Sequence, residues 1–98
     1  MRNKNLPAPV VHQPSAYYYR LEAIARMVSM EPTLIREYEI KGLIPNGIIS
    51  REGDEEIISY PSEVLETLRK IKLLTEEMEV NLPGVEIILN LLKRLEEE

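Results

Sequence analysis

From Tyr17 onward the spacing of apolar side chains changes several times, and each change marks an element. Tyr17, Tyr18 and Tyr19 form an aromatic run of strand character, read as the hydrophobic edge strand that closes the core. Leu21, Ile24, Ala25 and Val28 then keep a 3.6-residue period, which predicts a short helix. Pro32 suits a first helical position and Gly42 the residue just past an end, so a second helix is predicted from Pro32 to Lys41. Leu34, Ile35, Tyr38 and Ile40 are assigned to its buried side, with Arg36, Glu37, Glu39 and Lys41 facing elsewhere. After the turn signal Pro45-Asn46-Gly47, the β-branched pairs Ile48–Ile49 and Ile57–Ile58 flank an acidic tip containing Gly53, the pattern of a hairpin. Ser62 is expected to cap a third helix, with Glu63 in its first turn, and Val64, Leu65, Leu68, Ile71, Leu74 and Met78 form one core stripe along it.

The last element carries more apolar surface than one core requires. Asn81 to Pro83 turns into a helix from about Pro83 to Glu97, and at 100° per residue its apolar positions span an arc of roughly 200°, about twice the stripe of a helix covering one core. One face can pack on the third helix. The other, carrying Ile87, Leu91 and Leu95, predicts self-association as a homodimer. The helix is too short for more than about two heptads, so other contacts must contribute to a dimer.

Composition narrows the function classes. The 98 residues suit one small domain, expected over residues 17–98, with residues 1–16 as a flexible tail rich in proline and lacking an apolar period. The lone His12 in that tail has no second histidine and no cysteine to share a metal, and no cofactor is expected. Absence of cysteine removes disulfides, thiolate zinc sites and thiol catalysis, and fits a cytoplasmic protein. No membrane span or export signal is legible. Asp54, Glu55 and Glu56 cluster at a hairpin tip, where nothing desolvates a carboxylate enough to make it an acid or base, so catalysis is not expected. Twelve Lys and Arg against 17 Asp and Glu give a net charge of −5, which weighs against phosphate binding without excluding a local basic stripe.

The order strand, helix, short turn, helix, hairpin, two helices is that of a winged helix-turn-helix, and the residues sharpen it. The segment YRLEAIARMVSMEPTLIREYEIKGL, Tyr19 to Leu43, resembles the opening of the MerR superfamily. Tyr19, Leu21, Ile24, Ala25, Pro32, Arg36, Tyr38, Glu39, Gly42 and Leu43 stand on its pattern without a gap. From Leu68 onward, with VNLPGVEIILNLL, the chain is similar to two branches: heat-shock repressors of the HspR type and chaperone modulators of the CbpM type. The resemblance implies a mainly α fold, a MerR-like winged helix-turn-helix with a small β-hairpin wing and two C-terminal helices. It also implies one of two partners, palindromic duplex DNA for the repressors or a DnaJ-like co-chaperone, through its J domain, for the modulators.

Departures from the pattern favour the modulator. DNA-binding members end the wing in Arg-x-Tyr, whose arginine is expected to meet phosphate; here the equivalent is Ile58-Ser59-Tyr60. The turn glycine is replaced by Ser29, and Glu37 precedes Tyr38 where an aromatic or apolar residue is usual. If DNA is bound, Arg20, Arg36, Lys41 and Arg51 are the candidate contacts, Arg36 matching the family's phosphate-contacting position. Arg36 can equally pair with Glu37 or Glu39 on its own helix. The acidic wing suits a basic protein surface, such as the basic helix of a J domain.

Overall fold

The computed structural model describes residues 17–97. The tail with His12 lies outside them. Strand β1 (Tyr18–Arg20) leads into helix α1 (Leu21–Val28), and helix α2 (Pro32–Ile40) follows. Strands β2 (Ile48–Glu52) and β3 (Glu55–Pro61) form the hairpin, and helices α3 (Val64–Lys72) and α4 (Leu82–Glu96) complete the chain. The architecture is the expected mainly α winged helix-turn-helix.

The three strands make one antiparallel sheet in the order β1-β3-β2. Tyr19 pairs with Tyr60, and Ile49 pairs with Ile58. Because side chains alternate across a sheet, Tyr19, Tyr60, Ile58, Ile49 and Glu56 share one face, while Tyr18, Arg20, Ile48 and Ile57 share the other. Gly53 opens the two-residue turn at φ +63°, the conformation that a type II′ hairpin requires at that position.

The core gathers Leu21, Ile24, Val28, Ile35, Tyr38, Ile44, Tyr60, Val64, Leu68, Ile71, Leu74 and Val85, all buried. Burying one such side chain contributes about 1.5–3 kcal/mol, so the matching stripes of α1, α2 and α3 are what bind the helices to the sheet. Both helices of the helix-turn-helix stop in the same way. The Met30 amide donates to the Ala25 carbonyl (2.9 Å), and the Leu43 amide to the Tyr38 carbonyl (2.9 Å). Such a bond returns the chain across a left-handed residue, here Ser29 at φ 55° and Gly42 at φ 79°. Lys72, from α3, donates to the carbonyls of Val28 (3.0 Å) and Ser29 (3.1 Å) and so places a cation at the negative end of α1.

The structure corrects several sequence expectations. Ile40 is 82 % exposed, because the side chains facing the core from α2 are Ile35 and Tyr38, with Leu34 half-buried. Of the three tyrosines in the edge strand only Tyr19 packs on the core; Tyr17 and Tyr18 are exposed. At the start of α3, Glu63 already has helical φ/ψ, and the Leu65 amide donates to the Ser62 carbonyl (3.0 Å). The Ser62 amide donates to the Tyr17 carbonyl (3.0 Å) and prolongs the pairing of β1 with β3. Met78 leaves the core stripe and is exposed, because α3 runs into a π-helical segment, Leu73–Glu77. The Met78 amide there reaches Leu73, and each such i→i−5 bond widens the turn and carries later side chains out of the 3.6-residue phase. Asn81 caps α4 through its side chain, which accepts from the Gly84 amide (2.9 Å).

Candidate functional site: the helix-turn-helix and wing face

The face that a helix-turn-helix protein turns to a partner is built by α2 and the hairpin, joined through one carboxylate. Glu39 lies on the side of α2 nearest the sheet. Its Oε1 accepts from the Tyr60 hydroxyl (2.6 Å) and from Arg36 Nη1 (2.9 Å), and its Oε2 accepts from the Gly47 amide (2.8 Å). Arg36 Nη1 also donates to the Tyr60 hydroxyl (3.3 Å). Helix, pre-hairpin loop and hairpin thus meet at Glu39.

Each partner owes its place to local sequence. Arg36 and Glu39 are three residues apart, so they are neighbours on one helix face. Tyr60 sits at the inward-facing register of β3 and is fully buried, so its hydroxyl needs an internal partner. Gly47 is glycine because the sheet approaches it closely. A Cβ there would lie 2.9 Å from Ile58 Cγ2 and 3.1 Å from the Tyr60 ring.

The electrostatics follow from this arrangement. Burial opposes the Glu39 charge, but the bonds from Tyr60 and Gly47 and the nearby Arg36 outweigh it and hold the carboxyl below its ordinary value. Burial, then the bond to the Glu39 carboxylate, pushes the Tyr60 hydroxyl up. The bond to Tyr60 lifts Arg36 above its ordinary value against the opposing effect of burial, aided by the charges of Glu39 and Glu56. Tyr38 is pushed up by its burial, with the negative charges of Glu37 and Glu76 adding to the effect.

Of the sequence-predicted contact residues, three are engaged by carboxylates of their own chain. Arg20 meets Glu52 at 2.8 Å, Arg36 meets Glu39 at 2.9 Å, and Lys41 lies 3.8 Å from Glu37. Arg51 stands opposite Glu56 in the β2–β3 ladder. The Arg20 and Lys41 pairs are well exposed and contribute little stability. The consequence is electrostatic: a phosphate approaching the α2 side meets Arg36 and Lys41 already neighboured by anions, and Arg20, on the other sheet face, is neighboured by Glu52. Ile58, where an arginine of the Arg-x-Tyr pair would stand, is half-buried beside the core.

The predicted association residues form a second feature. Ile87, Leu91 and Leu95 are exposed at 60 %, 51 % and 65 %, four residues apart along one side of α4. Val85, Ile88 and Leu89 of the same helix turn to the core. A cleft of about 510 Å³ separates α4 from the Gly42–Pro45 loop, with Leu43, Ile44, Leu89 and Leu92 in its lining beside Lys70 and Lys93. Lys70 there lies 3.9 Å from Glu66 and 3.8 Å from Glu96.

Sequence reasoning placed Arg36 beside Glu39 but missed Tyr60, Gly47 and Lys72 as polar partners, since each is remote in sequence from the group it meets. The Tyr60 position in the wing motif was the one available signal. Among the described residues no helix is long and apolar enough to cross a membrane, and no group of His, Cys, Asp or Glu is arranged to hold a metal ion.

A family model described as MerR HTH family regulatory protein matches residues 19–97. No curated protein and no solved structure matches the chain.

Proposed function

Since this chain belongs to the MerR family of helix-turn-helix regulatory proteins, we propose that it regulates by binding a protein, as a chaperone modulator that restrains a DnaJ-type co-chaperone. The observation that carries this reading is the pairing of Arg36 and Lys41 with Glu39 and Glu37 on the face where a DNA-binding relative needs free cations, with Arg20 likewise paired to Glu52 on the other side of the sheet. Ile58 in place of the wing arginine, and the carboxylates from Glu52 to Glu56, support it further. A basic helix of a J domain is the complementary surface, and that charge match governs approach and orientation more than final affinity. The role is binding rather than catalysis, it needs no cofactor, and its place is the cytoplasm.

The protein acts as a homodimer, associated through the exposed row Ile87, Leu91 and Leu95. Leu91→Glu places a charge in that row without disturbing the core, and sedimentation of the variant is expected to give the monomer mass. An unchanged mass would remove α4 as the interface.

The family assignment itself favours a second reading, a dimeric DNA-binding repressor of the heat-shock type with its two α2 helices in successive major grooves of a palindromic site. Capture of a purified J-domain protein, run beside a salt titration against random and palindromic duplexes, separates the two. Capture without salt-sensitive duplex binding is the expected result. Duplex affinity that falls steeply with salt and drops further in Arg36→Ala would establish the repressor instead.

A further inference from the structure

The outward side of α2 does not have the composition of a helix that reads phosphates and bases. At 100° per residue, Ile40 and Thr33 follow Arg36 round the helix by about 40° and 60°, and Glu37 by about 100°, moving away from the hairpin side, with Ile40 nearly opposite the buried Ile35 and Tyr38. All three are exposed, and Ile40, at 82 %, is the most exposed large apolar side chain among the described residues. Arg36 lies between this strip and the hairpin, tied down to Glu39 and Tyr60. On the hairpin side, Ile49 is 57 % exposed opposite Ile58, and Glu56 follows Ile58 outward on the same sheet face. Two apolar knobs, one on the helix and one on the wing, are therefore each accompanied by an exposed carboxylate, Glu37 with Lys41 3.8 Å away and Glu56 opposite Arg51, across a strip whose central Arg36 is tied to Glu39 and Tyr60.

We infer that the strip formed by Thr33, Glu37 and Ile40 of α2 with Ile49 and Glu56 of the wing is the docking surface for a basic, amphipathic protein helix. Ile40 and Ile49 take the apolar stripe of that helix, and Glu37 and Glu56 take its flanking lysines or arginines. Duplex DNA fits poorly, because an isoleucine and two carboxylates would face a phosphate-lined groove. This inference rests on the proposed protein-binding function and specifies where the partner sits.

The test uses the full chain, ¹⁵N-labelled, with three probes: a purified J domain, a synthetic amphipathic helix bearing lysines beside a leucine stripe, and a random duplex. Both protein probes are expected to shift the amide signals of Thr33, Glu37, Ile40, Ile49 and Glu56. Ile40→Ala, which removes an exposed side chain and leaves the core intact, is expected to weaken binding about tenfold. Glu37→Gln should weaken it by a smaller factor and flatten its salt dependence. Tyr18→Ala, on the opposite face of the sheet, should leave affinity within about twofold. A J domain that binds with shifts elsewhere and no loss in Ile40→Ala overturns the docking surface and leaves the modulator function standing. Binding of the synthetic helix to this strip without the J domain overturns the modulator function and leaves the surface standing. If neither protein probe binds, or if the duplex shifts the strip and Arg36→Ala abolishes that shift, the inference is wrong.

Discussion

Glu39 shows how one side chain can hold several segments. Its two oxygens accept from Arg36 on its own helix, from the Gly47 amide before the hairpin and from Tyr60 within it. Tyr60→Phe keeps the ring and deletes only the hydroxyl. A hydrogen bond to a charged group contributes roughly 1.5–3 kcal/mol, so chemical denaturation should find the variant destabilised by about 2 kcal/mol. Since the carboxyl is held below its ordinary 4.5 in the folded protein, its contribution is fully present above that pH and is lost as pH falls through the lower folded value. Glu39→Gln should therefore be less stable than the native protein at neutral pH, and the two should converge as pH drops below 4.5. Parallel stability curves would show that this carboxylate is not the titrating group. The motif around Arg36, Tyr38 and Glu39 was legible in the sequence, but its purpose was not. Reading local spacing alone, Arg36 pairs along its helix; the buried hydroxyl that completes the arrangement arrives from the wing, 21 residues beyond Glu39.

At the scale of elements, the helix-turn-helix is held by two chain reversals of one geometry and different composition. Gly42 adopts its left-handed conformation freely, and nothing lies within 4 Å of where a Cβ would stand. Ser29 adopts the same region at φ 55° with a Cβ, which costs roughly 1 kcal/mol. Ser29→Gly should raise the melting temperature by about 4–8 °C in a domain of this size, measured by thermal denaturation; no rise would mean that the backbone or Lys72 has already relieved the strain. Periodicity predicted α1 and α3 well because their burial follows a single face, as Leu21, Ile24, Val28 and Val64, Leu68, Ile71 show. It failed at Met78, where the widening after Lys72 breaks the period on which the prediction depends. It also failed at Ile40, whose hydrophobicity invited burial on a helix that buries Ile35 and Tyr38 instead. A pattern cannot distinguish an apolar residue facing the core from one left for a partner.

For the whole molecule, that ambiguity concerns two of the exposed apolar sites among the described residues, the row on α4 and the strip on α2. The double-faced character of α4 was visible in its sequence because its arc is too wide for one core; the α2 strip has one isoleucine and leaves no such excess. If the α4 row joins two chains, stability must depend on protein concentration, since mass action favours the folded dimer. The melting temperature of the native chain should climb as concentration is raised, and that of Leu91→Glu should stay constant. A native melting temperature independent of concentration would argue for a folded monomer.

The hairpin is fastened at its root by Tyr60 and the Gly47 amide, whereas Glu52 to Glu56 at its far end are all exposed. In mechanical terms it is a cantilever, clamped against α2 at its root, with the exposed Arg20–Glu52 pair a weak tie nearer Gly53. Amide exchange should accordingly be slow at Gly47 and quicken along the strands towards the tip, with Tyr60→Phe loosening the clamp. A load applied at the tip would then be felt as torque at Glu39, which makes the wing a lever on α2.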